Sequence, residues 1–205
     1  MCADPLIPTA RRPTVAAVTA LCWVIVAALG GLFAGDSRAG SVDRAVTSRL
    51  ETLVGVRSAA ARALVSPSNS PVVWTALLTL VAGALAMRQW RLAGVALAAP
   101  LAAVVCAELL KPVVGRRYDG MYLCYPSGHT AAAVSVLTVA ALAAARLGPI
   151  RRRLAAAGWS AVTAAIAVGM AAMHYHYPTD VLGGVAVALG VTLPLAGLHT
   201  LQNDP

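Results

Sequence analysis

Tyr125-Pro126-Ser127-Gly128-His129-Thr130 is a short polar break between two long apolar segments. It reads as a turn that feeds straight into a helix. Pro126 sets the approach, Ser127 can cap, Gly128 lets the backbone come close to a ligand, and His129 falls in the first helical turn. A helix start leaves several N–H groups unpaired and carries the positive end of the dipole, which together form a small anion site. A histidine there adds a proton donor. That combination suits phosphate-ester chemistry.

The surroundings of this stretch are those of a membrane protein. Of 205 residues, 59% are hydrophobic and 12% charged, with a mean hydropathy of +0.75. Soluble domains carry about 25% charged residues. Alanine, valine, leucine and glycine dominate, as in tightly packed helices of small residues, and one integral-membrane domain over residues 1–205 is expected. The sixteen Lys and Arg include one lysine, Lys111, and give a net charge of +8. They stand in short clusters between apolar runs, so anionic lipid headgroups rather than nucleic acid are the expected counter-charge. Cys2, Cys22, Cys106 and Cys124 show no CxxC pairing, which argues against a disulfide framework or a zinc site. The start lacks a basic stretch leading directly into an apolar one, so the first apolar run is expected to stay as a span.

Working outward, the apolar runs are Val15–Phe33, Val72–Met87, Leu92–Leu110, Thr130–Ala145, Leu154–Met173 and Val181–Leu198. Each approaches the ~20 residues of a spanning helix. The expected fold is therefore all-α, a six-transmembrane-helix bundle. Residues 41–65 alternate charge and apolar at a helical period, which predicts an amphipathic helix on the bilayer surface or a plain solvated helix. Residues 66–71 read as a turn. Six spans place residues 34–71, 111–128 and 174–180 on one face, with every histidine except His199. Lys and Arg divide eight against eight between the faces, and the short basic loops at 88–91 and 146–153 favour the other face as the inner one.

Two further groups carry chemistry. Lys111, Arg116 and Arg117 lie within seven residues and can neutralise a dianionic phosphate, or simply anchor the loop at the interface. Glu108 is expected to be a buried partner for Lys111 or an arginine. In His176-x-x-x-Asp180 the carboxylate can accept from one imidazole nitrogen, leaving the other as a nucleophile. His174 reads as an interfacial hydrogen-bonder. Zinc is the competing reading of the histidines, but no HExxH or similar ligand pattern is present.

In order, Lys111 with its arginines, Pro126-Ser127-Gly128-His129, and His176-x-x-x-Asp180 followed by Val181-Leu182-Gly183-Gly184 resemble the three motifs of the type 2 phosphatidic-acid phosphatase superfamily. The resemblance covers roughly residues 72–198. It implies metal-independent, cofactor-free hydrolysis of a lipid phosphate. His176 resembles the nucleophile, Asp180 its orienting partner and His129 the acid on the leaving oxygen. Lys111 and Arg116, with Ser127 and Gly128, resemble the phosphate cradle. Tyr118-Asp119 stands where the family has Arg-Pro, so Arg116 or Arg117 must serve instead. Gly169-Met170 stands where Ser-Arg is expected, a loss that Arg117 would compensate.

By analogy with bacterial relatives the expected substrate is an undecaprenyl or decaprenyl phosphate or diphosphate, handled at the extracytoplasmic face of a plasma membrane. Phosphatidate or phosphatidylglycerophosphate is the alternative within the class. A transporter or scaffold is the alternative outside it, disfavoured because the polar residues gather at one face rather than at the midplane. The sequence leaves the oligomeric state open.

Overall fold

The structure, a computed structural model, describes residues 6–198; Cys2 and His199 lie outside the described residues. In chain order the helices are α1 (Arg12–Leu32), α2 (Ser41–Val54), α3 (Ala59–Val65), α4 (Ser70–Ala86), α5 (Trp90–Val114), α6 (Gly128–Ala145), α7 (Pro149–Ala172) and α8 (Pro178–Leu198). A two-residue antiparallel hairpin, β1 (Arg117–Tyr118) and β2 (Tyr122–Leu123), interrupts the α5–α6 connection. Among the described residues, six stretches are long and apolar enough to cross a membrane, the second of them running from Ala59 through α3 to the end of α4 at Ala86. Fold class and number of spans agree with the sequence reading.

Prolines open several of these helices. Pro13, Pro71 and Pro149 occupy first-turn positions, and Pro178 begins α8, where the missing N–H has no intrahelical partner to lose. Gly115, in the left-handed conformation, closes α5. α5 therefore runs four residues beyond the expected span. Lys111 falls in its last turn, where a cation suits the negative dipole end.

α5, α6 and α8 form the centre of the bundle: 44–56% of their apolar windows is buried, against 17–22% for the other three spans. α1 packs on α8, α4 on α5, and α7 on α6. Alanine and valine line the contacts, among them Ala103, Ala107, Ala131, Ala186 and Val187. Small side chains let backbones approach closely where lipid offers no hydrophobic drive. Polar pairs add to this, Ser135 with Thr192 across α6 and α8 at 2.7 Å, and Trp159 donating to Thr138 at 3.0 Å.

Segment 41–65 departs from expectation. It is not one amphipathic helix but two, broken between Gly55 and Ser58, with Gly55 and Arg57 at positive φ. α3 leads into the second span, and Asp43 on α2 is fully buried rather than solvated. The packing of α3 on the bundle has a steric cause on α7. A Cβ on Gly169 would lie 2.4 Å from the Val65 backbone nitrogen, so the absence of a side chain at 169 is what admits the α3 backbone.

Candidate active site

Three connecting segments meet at one end of the bundle. Gly35 donates to the carbonyl of Val114 at 2.9 Å, Arg117 to that of Asp36 at 2.8 Å, and Arg57 to that of Ala172 at 3.1 Å. Ser127 caps α6: its Oγ accepts from the Thr130 N–H at 3.4 Å and from the Thr130 hydroxyl at 3.0 Å. The Tyr125–Pro126 bond just before it is cis. The N–H of Ser127 donates to the carbonyl of Asp180 at 3.0 Å, which ties the start of α6 to the first turn of α8. Asp180 Oδ2 accepts from the Tyr177 N–H at 3.1 Å, so α8 is closed by its own acid.

This scaffold brings His129 and His176 to one cavity of about 300 Å³, together with Val65, Ser68, Asn69, Tyr122, Met170 and Tyr175. His129 is exposed, whereas His176 is 8% exposed. The Tyr122 and His176 rings stand nearly perpendicular, with centroids 6.4 Å apart. Among the described residues His176 Nδ1 has no hydrogen-bond partner, and it stands 3.7 Å from Asp180 Oδ2. That exceeds a hydrogen bond, though catalytic contacts in ligand-free enzymes are often long and tighten around substrate.

A groove of about 300 Å³ shares Ser68 and His129 with this cavity. Val73, Trp74 and Leu77 of α4 face Leu101, Val104 and Val105 of α5 along it, and Glu108, Lys111 and Gly128 close its polar end. Lys111 Nζ is 2.6 Å from Glu108 Oε1. Glu108 is the expected partner but not a buried one, being 53% exposed in its side chain, because it sits in the mouth of the groove.

Arg116 is not where the phosphate-cradle reading puts it. The guanidinium is fully buried. Nη2 donates to Asp43 Oδ2 at 2.6 Å, and Nη1 donates to Asp180 Oδ1 and to Thr179 Oγ1. The Phe33 and Tyr177 rings lie 4.0 and 4.7 Å from its central carbon. Burial works against this charge, but Asp180 and Asp43 outweigh it and hold the pKa above the usual arginine value. Arg117 is exposed on β1 and donates to the Met121 carbonyl at 3.4 Å. Neither arginine lines the cavity or the groove.

Both departures from the family motifs have local physical reasons. Asp119 and Gly120 turn the hairpin at φ 44° and 77°, a conformation closed to proline, whose φ is fixed near −65°. Tyr118 stacks on Tyr177 at 4.4 Å, and the Tyr177 hydroxyl donates to Asp119 Oδ1 at 2.8 Å. Burial, with Asp119 beside it, pushes the Tyr177 phenol up to about 12, so it stays a neutral donor. Gly169 makes room for α3, and Met170 puts a thioether on the cavity wall at the expected arginine position.

Ser68, Asn69, Tyr122 and Tyr175 were not foreseen as cavity residues, nor Asp43 as a partner of the site. Only the rarity of acids offered a signal: the chain has eight Asp and Glu, and a buried one needs a companion. His174 bonds Glu51 of α2 at 2.7 Å.

An apolar helical bundle with paired imidazoles and helix starts at one end has the outline of a membrane-embedded hydrolase of phosphate esters. The PAP2 superfamily matches residues 93–203, more than half of the sequence, and the chain belongs to that superfamily. Its members are phosphatases. The match spans Lys111, Pro126–His129 and His176–Asp180 but not Asp43, Ser68 or Asn69. No curated protein matches the chain, and no solved structure does.

Proposed function

We propose that the chain hydrolyses a membrane lipid phosphate or diphosphate through a phosphohistidine, with a polyprenyl carrier lipid as substrate. The observation that carries this reading is the single cavity shared by His129 and His176, opening at His129 and Ser68 into an apolar groove between α4 and α5. The cavity fits a phosphate, and the groove fits the chain attached to it. An isoprenoid or acyl tail lying there would bring its headgroup to Lys111 and the N-terminus of α6, where charge developing in the transition state meets fixed donors.

In the first step an imidazole nitrogen of His176 bonds to phosphorus while the bond to the leaving oxygen breaks. His129 gives that oxygen a proton. In the second step His129 takes a proton from water, the water oxygen bonds to phosphorus, and the phosphorus–nitrogen bond breaks to release phosphate. Splitting one slow displacement into two easier ones is the benefit of the covalent route. Arg88 in the α4–α5 connection, Arg91 in the first turn of α5 and Arg151–Arg153 near the start of α7 gather at the end away from the histidines. This supports an extracytoplasmic site.

A panel of polyprenyl and glycerolipid phosphates, offered to the purified protein in detergent with chelator, tests the reading by release of inorganic phosphate. Wild type is expected to release phosphate and His176→Ala to release none. No release from any lipid would sink the enzymatic reading, and loss of activity in chelator would favour zinc.

A further inference from the structure

We infer that Asp43, on the helix between the first two spans, is a positioning residue for the His176–Asp180 pair. The inference rests on the reading of His176 as nucleophile.

Asp43, Arg116 and Asp180 are each fully buried, and the contacts among them are directional. Asp43 Oδ2 receives Arg116 Nη2 at 2.6 Å. Its Oδ1 receives the Thr179 N–H at 3.0 Å, and the Thr179 hydroxyl lies between the two oxygens, 2.9 Å from Oδ1 and 3.0 Å from Oδ2. Arg116 uses its other terminal nitrogen on Asp180 Oδ1. Asp180 Oδ2 is left to the Tyr177 N–H at 3.1 Å, on the side where His176 Nδ1 lies at 3.7 Å.

Asp43 lines neither the cavity nor the groove, and it acts on its neighbours in two ways. It accepts from a first-turn N–H of α8, one of the donors every helix start leaves unpaired, and so fixes how α8 begins. It also holds one arm of the guanidinium. Arginine prefers a two-pronged grip on a carboxylate. Without Asp43 the Arg116 fork is free to take both oxygens of Asp180, drawing Oδ2 away from His176. One cation between two carboxylates keeps one oxygen of Asp180 facing the imidazole.

A bond of this kind is a poor way merely to fasten α2 to the bundle. Desolvating three charges is costly, and well-packed apolar side chains often hold equally well. The arrangement makes sense as a device that sets direction. Phe33, just past the end of α1, lies against Arg116 and completes the enclosure. Both Asp43 and Phe33 fall outside the stretch that the superfamily matches, so the segment before α5 adds an element of its own to the site.

The test is Asp43→Asn in the full-length protein, which keeps a carbonyl acceptor for Thr179 and removes the charge that shares Arg116. Asp36→Asn, a change of the same charge on an exposed side chain, is the control. Two readouts are taken: turnover on the best lipid phosphate, and the tautomer of His176 by NMR of ring-labelled histidine in micelles. The inference expects kcat to fall about tenfold or more with KM within about twofold, as for other residues that orient a reacting group. It also expects the His176 tautomer population to change while His129 keeps its own. Unchanged kcat together with an unchanged His176 tautomer overturns it. Should Asp43→Asn not fold, Asp43→Glu keeps the charge but lengthens the arm that reaches Arg116 and Thr179. A shift of kcat and of the His176 tautomer in that variant supports the inference, and no change in either overturns it. Should wild type release phosphate from no lipid, the proposed function fails, and the tautomer measurement alone then decides whether Asp43 orients His176.

Discussion

The backbone N–H of Ser127 donates to the carbonyl of Asp180 at 3.0 Å. One bond therefore fixes the distance between the helix start that carries His129 and the turn that carries His176. Gly184, one turn along α8, is the position where this closeness leaves no room. A Cβ there would lie 2.6 Å from the Ser127 carbonyl oxygen and 2.9 Å from Thr130 Cβ. Gly184→Val is expected to force α6 and α8 apart, costing about 1–3 kcal/mol as overpacking does. Thermal unfolding in detergent checks this, with a lower midpoint and lost turnover expected. A midpoint equal to wild type would contradict the close approach.

Glu108 holds the only lysine of the chain at 2.6 Å, in the mouth of the groove beside Gly128 and His129. A carboxylate there repels an incoming phosphate and occupies the ammonium that should receive it. Two unit charges about 4 Å apart in water interact by about 1 kcal/mol, equivalent to roughly fivefold in affinity. Glu108→Gln is therefore expected to lower KM several-fold for an anionic lipid with little change in kcat. Steady-state kinetics at low salt check it; a raised KM would show that Glu108 instead holds Lys111 in its working position.

The cations near the site are unequal. Lys111 reaches the groove, whereas Arg117 is exposed and bonded to Met121. Lys111→Ala is expected to raise KM about tenfold or more, since losing a charge-assisted contact costs about 1.5–3 kcal/mol. Arg117→Ala is expected to stay within about threefold of wild type, as surface charges contribute little. The reverse ranking in KM would restore Arg117 to the phosphate.

A groove that holds a lipid tail can be filled. Val104→Trp places a large ring between α4 and α5 where Val104 faces Leu77 and Trp74. Hydrolysis of a long-chain substrate is expected to drop sharply, while a short, water-soluble phosphate ester is turned over as by wild type. Equal losses on both substrates would mean that the tail lies elsewhere.

What the sequence makes legible follows from how local each signal is. A long, strongly apolar run has only one stable conformation in lipid, because its backbone must bond to itself, so the six spans can be read one at a time. Ser127 as cap and His129 in the first turn are likewise set by neighbours three residues away. Arg116 is different. Its partners, Asp43 and Asp180, stand 73 and 64 residues distant, and nothing near Arg116 distinguishes a buried bridge from a phosphate ligand. Lys111 reads as the first residue of a loop, yet it lies in the last turn of α5, which continues through Pro112 to Val114. Ser68 and Asn69 read as a turn, and their place on the cavity wall depends on the packing of α3 against Gly169.

The central claim is that phosphorus bonds covalently to His176. Rapid quenching of the purified enzyme with a lipid carrying labelled phosphate, followed by peptide mapping, tests this directly. Phosphohistidine is the expected product: an acid-labile label on the peptide that contains His176, formed before free phosphate and absent from His176→Ala. Phosphate released at the wild-type rate by His176→Ala, or a label that maps to another residue, would contradict the account.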